Sequence, residues 1–79
     1  MRILQETFAH PTQASLVRLN AYENPQGGFL VTEDRVGTAT VVATLGVFEN
    51  REAALQRVRE RTRELEGQRY QAVSPPRPA

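Results

Sequence analysis

The chain predicts an α+β fold, a small and mostly antiparallel twisted sheet of four or five strands with one α-helix packed across one face. Two observations carry this reading. A single segment, Arg51 to Glu66, repeats its apolar residues with a period near 3.6, while the other apolar runs alternate with a period of two. Clusters of turn-forming residues separate those runs, the clearest being Asn24-Pro25-Gln26-Gly27-Gly28. A chain of 79 residues holds one small domain, here expected over residues 1–73, followed by a Pro-rich tail over 74–79 expected to be disordered. A domain of this size buries only about 60% of its unfolded surface, so its core is thin.

Each element follows from its residues. Arg2 to Phe8 alternates loosely and reads as an edge strand. Pro11 pushes His10 out of the helical region and starts a loop. His10 is the single histidine, and in that loop it reads as a solvent-facing turn residue rather than a general base. Ser15 to Glu23 alternates cleanly, with Val17, Leu19 and Ala21 on a core face and Leu16, Arg18, Asn20 and Tyr22 on the other. The Asn24–Gly28 turn then closes an antiparallel hairpin onto Phe29-Leu30-Val31-Thr32. That strand turns polar at Glu33-Asp34-Arg35 and is expected to enter a tight bend, with glycines on both sides.

Ala39 to Phe48 is rich in β-branched residues, stiff at χ1, and reads as a further strand, with Gly46 marking a bulge or a close approach by the helix. Asn50 is placed to cap the helix and Glu52 to meet its N-terminal dipole. Ala54, Leu55, Val58, Thr62 and Leu65 form the buried stripe, and Gly67 is expected to end the helix in the left-handed conformation. Arg69 to Val73 returns as a short last strand or a packed tail. The expected core is Leu19, Val31, Val41, Leu45, Phe48, Leu55, Val58 and Leu65.

Charge and composition limit the function. The net charge is +1, which by itself predicts no strong binding to polyanions. All ten basic residues are arginine, whose planar fork suits phosphate and carboxylate, although arginine-only usage also follows from a GC-rich genome. The chain has no cysteine, so disulfides, thiolate metal sites and a cysteine nucleophile are excluded. No apolar run approaches the ~18 residues of a membrane span, and the expectation is a cytoplasmic protein without membrane contact. No metal-ligand spacing, no serine–histidine pairing and no glycine-rich loop opening a helix is present, so no enzyme activity and no cofactor is expected. Glu33 and Asp34 point to opposite faces of a regular strand and converge as an acid–base pair only if the bend is irregular. Arg57 with Arg61, and Arg59 with Arg63, lie along two different faces of the helix. Glu60, Glu64 and Glu66 dilute both, and a solvated surface is the expected reading. Tyr22 and Tyr70 either stack on bases or cap the core.

Four local patterns occur in order: Leu16-Val17-Arg18-Leu19-Asn20-Ala21; Arg35-Val36-Gly37-Thr38; Phe48 followed by Glu52 and Ala54; and Gly67 followed by Tyr70. Together they resemble the WGR domain over most of the chain, from Ile3 to Tyr70. That domain is the DNA-sensing module of several poly(ADP-ribose) polymerases and also occurs in small bacterial proteins. The chain has no tryptophan, and the Trp-Gly of the signature is absent before Arg35. The resemblance implies a non-catalytic module that binds nucleic acid weakly, at DNA ends or backbone phosphates, with Arg35 central and Arg18 and Arg69 supporting. The alternative is a WGR-like module for protein contacts without DNA binding, with Glu33 and Asp34 as its interaction surface toward a basic partner.

Overall fold

The computed structural model describes residues 1–37 and 40–73, and the expectation for the 74–79 tail lies outside these. Five strands and one helix follow in the order β1 (Arg2–Ala9), β2 (Leu16–Glu23), β3 (Phe29–Val36), β4 (Thr40–Phe48), α1 (Arg51–Gly67) and β5 (Gln71–Ala72). The sheet is antiparallel throughout, in the order β4-β3-β2-β1-β5, so the α+β architecture of one sheet and one helix is confirmed.

Pairing register decides which residues meet the helix. Directly opposed residues of antiparallel strands share a face. Val17, Leu19 and Ala21 stand opposite Arg35, Glu33 and Val31, and these in turn face Val41, Ala43 and Gly46. One face of the sheet is therefore apolar at one end, at Ala21 and Val31, and charged toward the other, at Glu33 and Arg35. The helix lies across β2, β3 and β4 on this face. Phe8, Val17, Leu19, Ala21, Val31, Ala54, Val58, Leu65 and Tyr70 form the buried core, with Ile3, Leu4, Phe29, Leu45 and Phe48 packed against it.

Local signals explain the ends of the elements. The Asn50 side chain accepts the Ala53 amide at 2.8 Å and caps α1, with Glu52 in the first turn. In the β2–β3 connection the Asn24 amide donates to Gly28 and the Gly27 amide to Asn24, with Gly27 and Gly28 at φ 103° and 87°. A bulge inserts Leu45 between Thr44 and Gly46, opposite Val31 and Thr32.

Several expectations are corrected. The strand of Phe29 does not bend at Glu33; it continues through Arg35 to Val36 because β2 and β4 pair with it on both sides over that length. Of the two readings of Gly46 the bulge holds, while the close approach comes from the ring of Phe48, 2.6 Å from where a Cβ would stand, and not from the helix. Gly67 ends α1 inside the helix, and Arg69 takes the left-handed conformation at φ 73°. Arg69 reverses the chain so that β5 pairs with Phe8 and Ala9, and the first strand is covered at that end. Val41, expected in the core, is 60% exposed, because it lies on the helix face beyond the reach of α1. His10 does not simply face solvent: its ring packs edge-on against Tyr70 with centroids 5.1 Å apart, and its Nδ1 lies 3.2 Å from the Thr12 amide.

Thermal unfolding separates the two kinds of apolar site. Leu65→Ala should cost about 2–5 kcal/mol, enough to unfold much of so small a domain, whereas Val41→Ala should stay within about 0.5 kcal/mol of the parent. Equal losses would show that the helix covers a different part of the sheet.

Candidate nucleic-acid interface

Core-face parity in β3 places a carboxylate where an apolar residue would be expected. Glu33 is 6% exposed and sits two residues after the buried Val31, under the helix. Arg61 occupies the matching position on α1, three residues after Val58 and four before Leu65. Its Nε donates to Glu33 Oε1 at 2.6 Å and its Nη2 to Oε2 at 3.3 Å, a two-pronged contact between helix and sheet. Its Nη1 also donates to Glu64 Oε1 at 3.3 Å. Arg35, two residues along β3, donates from Nε to Glu33 Oε2 at 3.4 Å.

Electrostatics follow from this geometry. Burial alone pushes the Glu33 carboxyl up, but the hydrogen bonds and charges of Arg61, and then of Arg35, outweigh it and hold the group below its ordinary value. The Glu33 hydrogen bond raises Arg61 in turn against the cost of burying it. Glu33 is thus a fixed anion that aligns two guanidinium groups. Arg61 is committed to it, with 16% of its side chain exposed, while Arg35 keeps 47%. Arg57, one turn before Arg61, donates to the Leu45 carbonyl at 3.4 Å. Arg35, Arg57 and Arg61 therefore border an open shelf along one flank of α1, with the exposed Val41 and Ala43 on its floor.

The other named residues lie elsewhere. Arg18 stands on the opposite face of the sheet, paired with Asp34 at 3.7 Å. There Asn20 is fully buried although no helix covers it. Its Oδ1 accepts from Gln5 at 3.0 Å, and its Nδ2 donates to Thr32 at 3.3 Å and Asp34 at 3.1 Å. Arg69 follows the helix, three residues before Ala72, which lies on the paired row Val41–Arg35–Val17–Phe8–Ala72. At strand spacing, the three steps from β3 to β5 set Ala72, and not Arg69 itself, about 14 Å across the sheet from Arg35. Arg18 thus does not join Arg35, and Arg69 shares only its end of the sheet.

Packing settles two further readings. Glu33 and Asp34 do not make one acidic surface, since Glu33 is buried under α1 and Asp34 belongs to the polar network on the far face. Tyr70 is 4% exposed in the core, with its hydroxyl toward Gln13 at 3.4 Å, so it offers no stacking surface, whereas Tyr22 remains half-buried on the far face. Arg59 and Arg63 line the opposite flank of the helix in a cavity of about 430 Å³, with Leu4, Glu6, Val58 and Glu66 among its other walls. Among the described residues no group of three or more His, Asp or Glu side chains is placed to hold a metal ion, and no helix is long and apolar enough to cross a membrane. Arg61 is the residue that sequence reasoning missed. Its signal was present, since 54, 58, 61 and 65 form one helical stripe and Glu33 supplies the opposite charge at core-face parity.

Because the folded Glu33 carboxyl titrates low, its contribution to stability is complete above the ordinary value of 4.5 and is lost as pH falls through the lowered one. Urea midpoints taken from pH 7 downward should therefore fall more steeply below pH 4.5 in the parent than in Glu33→Gln. Glu33→Ala at pH 7 should cost about 2 kcal/mol, less than the usual loss for a broken buried pair because Arg61 keeps Glu64. Parallel pH profiles for parent and Glu33→Gln would show that the pair adds nothing to stability. Compared with protein-family models, curated proteins and solved structures, the chain finds no match in any of the three.

Proposed function

We propose that the protein is a non-catalytic binding module of WGR-like build whose Arg35 shelf takes nucleic-acid backbone phosphates. One observation supports this reading most directly. Arg35 is held in place by Glu33 yet leaves about half of its side chain, 47%, open beside Arg61. The single contact with Glu33 keeps the guanidinium beside the shelf, yet it is weak enough for the fork to turn to a phosphate oxygen at little cost. The extended floor of β3 and β4 is open enough at Val41 and Ala43 for a sugar–phosphate strand to approach.

The charge around Arg35 also sets the strength. Glu33 and Glu64 offset two of the three arginines on this flank, so few counterions are released on binding. Non-specific affinity in the usual range of about 10⁻⁴–10⁻⁶ M, or weaker, is the consequence. The alternative, a protein-contact module, draws no support from Glu33 and Asp34, which do not share a surface. Its specific support is the apolar outer edge of β4, where Val41 and Val42 are 60% and 63% exposed.

Titration against nicked, blunt and single-stranded DNA at two salt concentrations tests the nucleic-acid reading. Arg35→Ala should weaken binding to all three, and the salt slope should fall by about one unit, as for one lost phosphate contact. Arg18→Ala and Asp34→Asn, on the opposite face, should leave binding unchanged. No binding at low salt, or a loss with Arg18→Ala equal to that with Arg35→Ala, would remove Arg35 as the contact.

A further inference from the structure

We infer that the outer edge of β4 is a self-association surface, on which a second copy of this chain pairs antiparallel through Thr40–Thr44, centred on Val42. The pairing stands independently of any phosphate contact at Arg35.

The strand itself carries the argument. β4 is the last strand of the sheet, and among the described residues nothing lies on its outer side. Exposed edges in single-chain proteins are normally protected by charge, proline, a bulge or short length. Thr40-Val41-Val42-Ala43-Thr44 has no charged residue and no proline, and all five residues are exposed. Val41 and Val42 point to opposite faces and are 60% and 63% exposed, so both sides of the strand present apolar surface. Protection begins only past Thr44, where the Leu45 bulge breaks the ladder and Arg57 occupies the Leu45 carbonyl at 3.4 Å.

Self-complementarity selects a copy of the same chain as the occupant. About a two-fold axis at Val42, Val42 meets its symmetry mate, Thr40 meets Thr44, and Val41 meets Ala43. Val–Val and Thr–Thr pairs across an antiparallel ladder are favourable, and the strand meets no like charge from its copy. A charged peptide gains no counter-charge on this strand. The opposite edge of the sheet differs, since β1 carries Arg2 and Glu6 and its far end is covered by β5. Head-to-tail pairing of β4 against that edge is thus poorly matched, and growth stops at the isologous dimer. The same rotation places both helices on one face of a ten-stranded sheet, with the two Arg35 residues on the floor between them.

A five-residue ladder is a small interface, at the weak end of specific association, so dissociation near 10–100 µM is expected. Sedimentation equilibrium of the full chain should show monomer at about 1 µM and dimer approaching 1 mM. Val42→Lys, which sets two cations on the axis, should weaken the dimer at least tenfold while the far-ultraviolet spectrum and melting temperature stay near those of the parent. The chain has no cysteine, so single-cysteine variants report position directly. Under mild oxidant Val42→Cys should form a covalent dimer much faster than Val47→Cys, although Val47 is the more exposed at 73%. Monomer at every concentration, a dimer indifferent to Val42→Lys, or equal cross-linking of the two cysteine variants would each overturn the proposal. None of these measurements involves nucleic acid, so failure here leaves the Arg35 reading standing, and the reverse holds too.

Discussion

The seating of α1 on the sheet depends on the contact between Glu33 and Arg61. The three helix residues fully in the core are Ala54, Val58 and Leu65, of which only Leu65 is large. Such a stripe fixes that the helix lies on the sheet, but small side chains leave its lateral position loosely determined. A carboxylate buried at 6% exposure cannot be left unpaired, since that would cost several kcal/mol. The helix must therefore sit where the Arg61 fork reaches both Glu33 oxygens, at 2.6 and 3.3 Å. The Arg57 bond to the Leu45 carbonyl, one turn earlier on the same flank, restrains the helix at the bulge. Replacing the pair by apolar residues of equal volume need not weaken the fold, but it would remove the restraint on where the helix sits.

How far the sequence could be read follows from which signals were local. The period of 3.6 over Arg51 to Glu66 located α1 to within one residue, and the Asn50 cap was visible as a residue type in the right place. Strict alternation at Val17, Leu19 and Ala21 found the central strand and its buried face. Errors arose where a neighbour overrode local preference. Three consecutive charged residues, Glu33-Asp34-Arg35, look like a bend, yet pairing on both sides carries the strand through them. Val41 has core parity but lies past the end of the helix's cover, a fact set by the helix's path and invisible in a strand pattern. Arg69 takes a left-handed turn more usual for glycine, because the chain must reverse at once to bury Tyr70 and pair β5 with β1. Of the candidate site, the residue types were legible, while the separation of Arg18 from Arg35 required the register of β2 against β3.

The face without a helix shows how the sheet remains ordered on both sides. Asn20 is completely buried there, and each of its polar groups has a partner on a neighbouring strand: Gln5 on β1, and Thr32 and Asp34 on β3. A satisfied network of this kind spanning three strands favours one register, since a slip by one residue would strand the Asn20 amide among apolar neighbours. Within it the Arg18 Nε is buried without a partner among the described residues, and its guanidinium reaches Asp34 only at 3.7 Å. The network thus spends its best geometry on Asn20 and leaves Arg18 loosely held.

A contrast between the two arginines on Glu33 shows how one carboxylate holds the fold and, in the proposed role, leaves a second arginine for a ligand. Arg61 takes the short contact and is mostly covered, so removing it would leave a buried charge. Arg35 shares only Oε2, at 3.4 Å and with half its surface in water, an arrangement worth under about 1 kcal/mol. Turning the Arg35 fork from Glu33 toward an incoming phosphate therefore gives up little, and Glu33 remains satisfied by both prongs of Arg61. In the proposed role the helix does not move when Arg35 changes partner, because the Arg61 bonds to both Glu33 oxygens and the Arg57 bond to the Leu45 carbonyl stay in place. The same division predicts where selection can act without unfolding the chain: at position 35 and along the exposed floor of β4, and not at positions 33 or 61.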